Sequence, residues 1–253
     1  MLFLVGSPIG NLSDISLRAL AVLKEVTLIA AEDTRRSSIL LKRFEISKPL
    51  VSYHEHNEAR RTSELVEKMH AGEKVALITD AGMPSISDPG YRIVRACIEN
   101  GIRVEVIPGP SAVLTALVGS GLRTDKFYFG GFLPVKSGQR EKELVAALAR
   151  AVTSVYFESP HRIIRSLEIV AWKEPTRLIC VARELTKKFE DYRRGEASAV
   201  LTHYATHPPK GEITLVIAGP CHKYPLLNNL FIFLRIITLP LCGNSLPSKL
   251  LHL

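Results

Sequence analysis

Four short apolar runs punctuate the first half of the chain: Leu2–Val5, residues 26–30, Val75–Ile78 and Val104–Ile107. Each is followed by a turn-rich stretch and then by residues of helical character. Runs of four or five mostly apolar residues, interrupted here only by Thr27 and Glu105, are too short for a buried helix but suit a buried strand. Strand and helix recur about every 25–30 residues, the length that a parallel βαβ crossover requires. The fold class this dictates is α/β, and in open α/β sheets ligands bind just beyond the carboxyl ends of the strands. The most turn-rich of these strand ends is Thr79-Asp-Ala-Gly-Met-Pro-Ser-Ile-Ser-Asp-Pro-Gly90, directly behind Val75–Ile78. Its two glycines and two prolines fix tight backbone shapes that let amides approach a ligand closely. The same composition also suits an ordinary surface turn.

Ser13 is placed to cap a first helix that carries Ile15, Leu20 and Leu23 on one face. The polar cluster Glu32-Asp-Thr-Arg-Arg36 follows the second strand. Asn57 caps a helix ending near Gly72, with Glu64 four residues before Lys68 as a supporting ion pair. A helix over Tyr91–Glu99 stops at Gly101, and a small-residue helix runs to Gly121. The pattern then restarts, with an aromatic strand at Phe127–Phe132, a helix over residues 140–150 and strands at 154–157, 178–181 and 212–218. Two α/β domains are expected, residues 1–118 and 119–220, joined near 119–125.

Residues 221–253 have a different character, with three basic residues, no acidic one and an apolar run at 230–241 broken by Arg235 and Pro240. That run is too short to span a bilayer. The segment reads either as a fold-completing piece or as a loosely docked terminus. The 253-residue chain carries a net charge of +8, which suits a polyanionic partner such as nucleic acid and equally a merely basic protein. Its four cysteines lie far apart with no CxxC pair, which argues against a zinc site or a disulfide framework. The apolar N-terminus lacks a charged n-region and a cleavage site, so it reads as a first strand of a cytoplasmic protein and no membrane segment is expected.

Three loops follow strands of the first half and should share one sheet edge: Gly6-Ser-Pro-Ile-Gly10, residues 80–90 and Gly109-Pro-Ser-Ala112. None is GxGxxG and there is no Walker A, so small residues and main-chain amides would hold the ligand, with an anionic group near a helix start. The second half offers Glu158-Ser-Pro-His-Arg162, Arg183-Glu-Leu-Thr-Lys-Lys188 and Lys210-Gly-Glu-Ile213. His161 fits a general base or a locally bonded helix-start histidine. Arg183 with Glu184 fits a surface ion pair. Glu32 and Asp33 beside Arg35 and Arg36 fit a solvated loop or a site that positions a ribose and its phosphates.

In order along the chain, nine blocks resemble the tetrapyrrole-methylase superfamily of S-adenosylmethionine (SAM) methyltransferases, and within it the ribosomal RNA small-subunit methyltransferase I family. They are Val5-Gly-Ser-Pro-Ile-Gly-Asn-Leu12, Ala31-Glu-Asp-Thr-Arg35, Ser52-Tyr-His-Glu-His-Asn57, Thr79 to Gly90 above, Pro108-Gly-Pro-Ser-Ala112, Phe129-Gly-Gly-Phe-Leu-Pro134, Glu158-Ser-Pro-His-Arg162, Ala182-Arg-Glu-Leu-Thr-Lys187 and Lys210-Gly-Glu-Ile213. The Glu-Asp-Thr-Arg and Glu-Ser-Pro-His-Arg blocks separate this RNA-modifying branch from the porphyrin-modifying one. Met83 stands where porphyrin methylases commonly carry an aspartate. The family usually continues past the last strand with a polar, helical segment, which residues 221–253 do not resemble.

The resemblance implies two α/β domains of the tetrapyrrole-methylase type with SAM in the cleft between them, and a homodimer; because the SAM sulfonium is already activated, no metal is expected. It implies 2′-O-methylation of a cytidine in 16S rRNA of the small ribosomal subunit, at the nucleotide usually numbered 1402. Carried over by position, the SAM contacts are Pro8, Ile9, Ala81, Gly82, Met83, Ile86, Ser111, Ala112, Glu158 and Leu185. The chemistry needs oriented reactants and removal of a hydroxyl proton, with Asp33 or Glu184 as the acceptor. Arg35, Arg36, His161, Arg162, Arg183 and Lys187 are the expected RNA contacts. Two other readings are a tetrapyrrole C-methyltransferase on the same fold and a non-catalytic RNA-binding module.

Overall fold

The four apolar runs become neighbouring strands. A computed structural model describes residues 1–220; residues 221–253, and every expectation placed on them, lie outside the described residues. Strands β1 (Leu2–Val5), β2 (Leu28–Ala31), β3 (Leu50–Ser52), β4 (Val75–Ile78) and β5 (Val104–Ile107) form one all-parallel sheet in the order β3-β2-β4-β1-β5. Every residue of β1, β2 and β4 is buried, which is why these central strands read as unbroken apolar runs. Helices α1 (Leu17–Glu25), α2 (Thr34–Arg43), α3 (Glu58–His70) and α4 (Tyr91–Glu99) connect them. One apolar cluster gathers Phe3, Val5, Leu23, Ile29 and Ile78 under α1 and α2, and a second gathers Leu4, Tyr53, Leu65, Leu77 and Ile93 under α3 and α4.

Several local details differ from the sequence reading. Ser16, not Ser13, caps α1 by accepting the Ala19 N–H at 3.1 Å, while Asn11 caps a short 3-10 turn at Leu12–Asp14. The cluster at 32–36 is no loop throughout: Asp33 caps α2, which begins at Thr34. Asn57 precedes α3 without a side-chain cap bond, its amide being spent on Ser52 and His54. Glu64 pairs with Arg60 and Arg61 one turn earlier, leaving Lys68 to Glu73.

The second sheet holds β6 (Phe127–Phe132), β7 (Thr153–Glu158), β8 (Leu178–Arg183), β9 (Asp191–Glu196) and β10 (Ile213–Ile217), in the order β6-β7-β10-β8-β9. Only β6 and β7 run parallel; β10 lies antiparallel between β7 and β8, and β9 antiparallel to β8. Helices α6 (Ser137–Ala149), α7 (Ile163–Lys173) and α8 (Ala197–Thr206) cover one face around Leu144, Tyr156, Leu167 and Leu215. The other face is covered by α5 (Ala112–Ser120), whose Val113, Ala116 and Leu117 pack on Val155, Cys180 and Val216. A division after residue 118 therefore falls inside α5, a helix that packs on the second sheet although it follows the last strand of the first. No helix among the described residues is long and apolar enough to cross a membrane.

Candidate active site

Because β4, β1 and β5 are adjacent and parallel, the loops that leave their carboxyl ends emerge side by side. Their backbones touch. A Cβ on Gly6 would lie 2.7 Å from Gly109 Cα and 2.7 Å from Met83 Sδ, and one on Gly109 would lie 2.8 Å from Gly6 Cα. Ser7 and Gly82 exchange both main-chain hydrogen bonds, at 2.8 and 3.0 Å, with Gly82 left-handed at φ +81°. Within the β4 loop, Ser85 donates its N–H to Pro89 and Ile86 to Met83, at 3.2 and 3.3 Å. Ser85 and Ser87 are left-handed, at φ 73° and 62°. Strained non-glycine residues of this kind persist where the surroundings over-determine the backbone, and they gather at sites.

These loops form one wall of a cavity of about 460 Å³, within the usual span for small-molecule sites. The first sheet's side contributes Ile9, Glu32, Arg36 and residues 80–83, 86–88 and 111–113. The second sheet's side contributes Phe132, residues 157–160, Leu185 and residues 211–214. Nine of the ten residues singled out for the cofactor line this one space; Pro8, buried beside Ile9, does not. Glu158 has a fully buried side chain whose carboxylate is saturated by the Ser159 N–H at 2.7 Å, the Ser166 hydroxyl at 2.6 Å and Arg162 at 2.9 Å.

The two carboxylates expected to accept a proton sit elsewhere. Asp33 accepts the Arg35 N–H at 2.9 Å and the Arg35 guanidinium at 3.1 and 2.7 Å, which hold its carboxyl far below the usual range. Glu184 accepts the Glu212 N–H at 3.0 Å and Lys187 Nζ at 2.9 Å, and these also lower it. Neither lines the cavity, and hydrogen bonds to the charged form make both weak bases.

Besides Glu158 and Glu212, three carboxylates from the first sheet's loops line it. Glu32 accepts the Asp80 N–H at 3.1 Å, Asp80 accepts the Asp33 N–H at 3.2 Å, and Asp80 pairs with Arg36 at 3.1 Å. Burial raises the Glu32 carboxyl. Asp88 is pushed up to about 7, first by burial and then by the charge of Glu32. In the sequence Glu32 stands with Asp33 after β2 while Asp80 and Asp88 follow β4, so the three do not read as one group. Only the pairing of β2 with β4 brings the two loops together.

Of the expected RNA contacts, Arg36 lines the cavity, whereas Arg35 is exposed outside it and committed to Asp33. His161 is exposed, with its main-chain N–H on Ser159 Oγ at 3.3 Å, the local helix-start arrangement. Arg162 is held by Glu158, Arg183 donates to Lys210 O at 3.3 Å, and Lys187 bridges Glu184 and Glu212.

The model of the tetrapyrrole (corrin/porphyrin) methylase family matches residues 1–201. Over 221 residues the chain is 50% identical to ribosomal RNA small subunit methyltransferase I of Mesorhizobium japonicum, covering 87% of this chain and 75% of that one. Over 219 residues it is 44% identical to the protein of the same name from Thermotoga maritima, covering 86% of this chain and 98% of that one. A solved diphthine synthase superposes with a TM-score of 0.69 at 16% identity, over 86% of this chain and 89% of that one, which is a likeness of fold. By its sequence, its two sheets and its shared loop cavity, the chain belongs to the tetrapyrrole methylase family and, within it, to the ribosomal RNA small subunit methyltransferase I family.

Proposed function

We propose that the chain transfers a methyl group from SAM to the 2′-hydroxyl of a cytidine in 16S rRNA of the small ribosomal subunit. The observation that carries this reading is one cavity whose walls combine touching main-chain turns with a cluster of carboxylates. The donor set fits SAM. Ile9, Val113, Leu185 and Ile213 offer apolar surface to an adenine, and Glu32, Asp80 and Asp88 offer negative charge to a sulfonium, an ammonium and ribose hydroxyls. The first amides of α5, behind Ser111, suit a carboxylate. SAM, when bound, supplies a methyl group already activated on a sulfonium, so the protein's share is positioning and proton removal.

Asp88 receives the proton of the ribose hydroxyl. A carboxyl poised near neutrality is a far better base than one held low by an ion pair, as Asp33 and Glu184 are. Arg36, which lines the cavity and pairs with Asp80, is the first candidate for a neighbouring phosphate; Arg35, Arg162, Arg183 and Lys187 do not line it. Exposed apolar residues along α5, Leu114 (52%) and Val118 (73%), with Val106 on edge strand β5, support a homodimer. The setting proposed is the cytoplasm, where ribosomal RNA is met.

Labelled SAM, incubated with unmodified small subunits or with free 16S rRNA, tests the reading. The product expected after nuclease digestion is 2′-O-methylcytidine. Label on a base, or none on RNA, would overturn the assignment.

A further inference from the structure

We propose that Phe132 is the platform on which the base of the target nucleotide stacks. This rests on the reading of the cavity as a methyl-transfer site for RNA. Phe132 lines the cavity and is nevertheless 61% exposed. Its position is built, not incidental. Strand β6 is an edge strand whose pairing with β7 shifts between Phe129 and Phe132. Two glycines make that bulge: a Cβ on Gly130 would run into the Tyr156 ring, and Gly131 is left-handed at φ +67°. Just beyond the bulge, Leu133 is buried and donates its N–H to Phe157 O at 3.0 Å, which pins the backbone behind the ring. The ring itself leans on Phe157 at 5.2 Å between centroids, and Phe157 leans on Phe129 at 5.1 Å. An aromatic braced from behind and open in front is a stacking surface rather than a loose side chain.

The other side of the opening identifies what stacks there. A Cβ on Gly131 would sit 3.6 Å from Ser87 Oγ, so the β6 bulge faces the β4 loop. The residue after Ser87 is Asp88. A base laid on Phe132 carries its ribose toward the carboxyl that is to take the hydroxyl proton. The donor's adenine has its own apolar surface deeper in, at Ile9, Val113 and Leu185, all buried. The exposed ring is left for the reactant that arrives from outside, and enzymes that act on one nucleotide of an RNA commonly hold it unstacked from its neighbours against an aromatic side chain.

The test compares the full chain with F132A and F132W in methyl transfer to small subunits, in calorimetric titration with SAM, and in binding of a cytidine-containing oligoribonucleotide. Loss of one stacked base costs about 5- to 150-fold in affinity. F132A is therefore expected to raise the KM for RNA and the Kd for the oligoribonucleotide at least tenfold. Its SAM affinity should stay within about twofold of wild type and its kcat within a few fold, and F132W should restore the KM. Unchanged KM and oligoribonucleotide binding in F132A would overturn the proposal, as would a loss of SAM affinity that accounts for the whole effect. If the unsubstituted chain methylates no RNA yet F132A still binds the oligoribonucleotide more weakly, the functional reading fails while the stacking role stands.

Discussion

Among the described carboxylates, Asp88 is the one that burial and neighbouring charge push furthest toward the neutral form. It faces Glu32 as the dominant neighbouring charge, then Asp80 and Glu55, with the Thr79 hydroxyl acting in the opposite direction. The folded pKa of about 7 lies above the unfolded value. Between about pH 4 and 7 the folded chain thus retains a proton that the unfolded chain has released, and stability falls as the pH rises through that window. With Asp88 only partly shielded from solvent, the loss at pH 8 is about 1–2 kcal/mol. Asp88→Asn is expected to flatten the dependence of Tm on pH over this range and to raise Tm at pH 8 by about 2–6 °C. The same substitution should lower kcat by on the order of 100-fold, since the proton acceptor is gone. Asp33→Asn, by contrast, should leave kcat within about threefold of wild type, because Asp33 lies outside the cavity and is committed to Arg35. Thermal melts across pH and single-turnover rates check the pair; similar rates for the two variants would remove Asp88 from the mechanism.

Loops and strands act as units at the next scale, and the contact of Gly6 with Gly109 is what locks the β1 and β5 loops together. Gly6→Ala has nowhere to place its methyl except against backbone, so it should destabilise by about 1–3 kcal/mol and weaken SAM binding at least tenfold. Gly138→Ala is the control: it lies in α6 with open space around it and should stabilise by about 0.5–1 kcal/mol. Denaturant melts and calorimetry read both. At this scale the sequence is informative where burial is uniform. Strands β1 and β4, buried throughout, show the bounds that their apolar runs predict; edge strand β5 shows its predicted bounds although only Ile107 in it is buried, and the three loops converge as parallel topology requires. It is uninformative where an element faces solvent. Strand β9, Asp-Tyr-Arg-Arg-Gly-Glu, is an edge strand bonded only to β8, so nothing selects an apolar pattern in it. The start of α2 is hidden for a similar reason, with Thr34, Arg35, Arg36 and Ser38 preceding its first buried leucine, Leu40.

For the molecule as a whole, what a linear reading cannot supply is strand order. The carboxylates of the cavity meet only because β2 pairs with β4, and the second sheet closes only when β10 inserts between β7 and β8. That insertion makes the last strand indispensable, since without it β7 and β8 have no partner between them. The cavity draws on residues from Ile9 to Thr214, and residues 1–220 form one compact unit. The Thermotoga maritima relative aligns over 98% of its own length with 219 residues of this chain, so in that protein little lies beyond the shared region. A chain ending at Pro220 is therefore expected to fold and to bind SAM with a Kd within about twofold of the full chain. A chain ending at Pro209 loses β10 and should show neither a cooperative melt of the second sheet nor SAM binding. Calorimetry and circular dichroism on the two truncations decide the matter. If the longer truncation failed to bind SAM while keeping its native spectrum, residues 221–253 would have to contribute to the cofactor site.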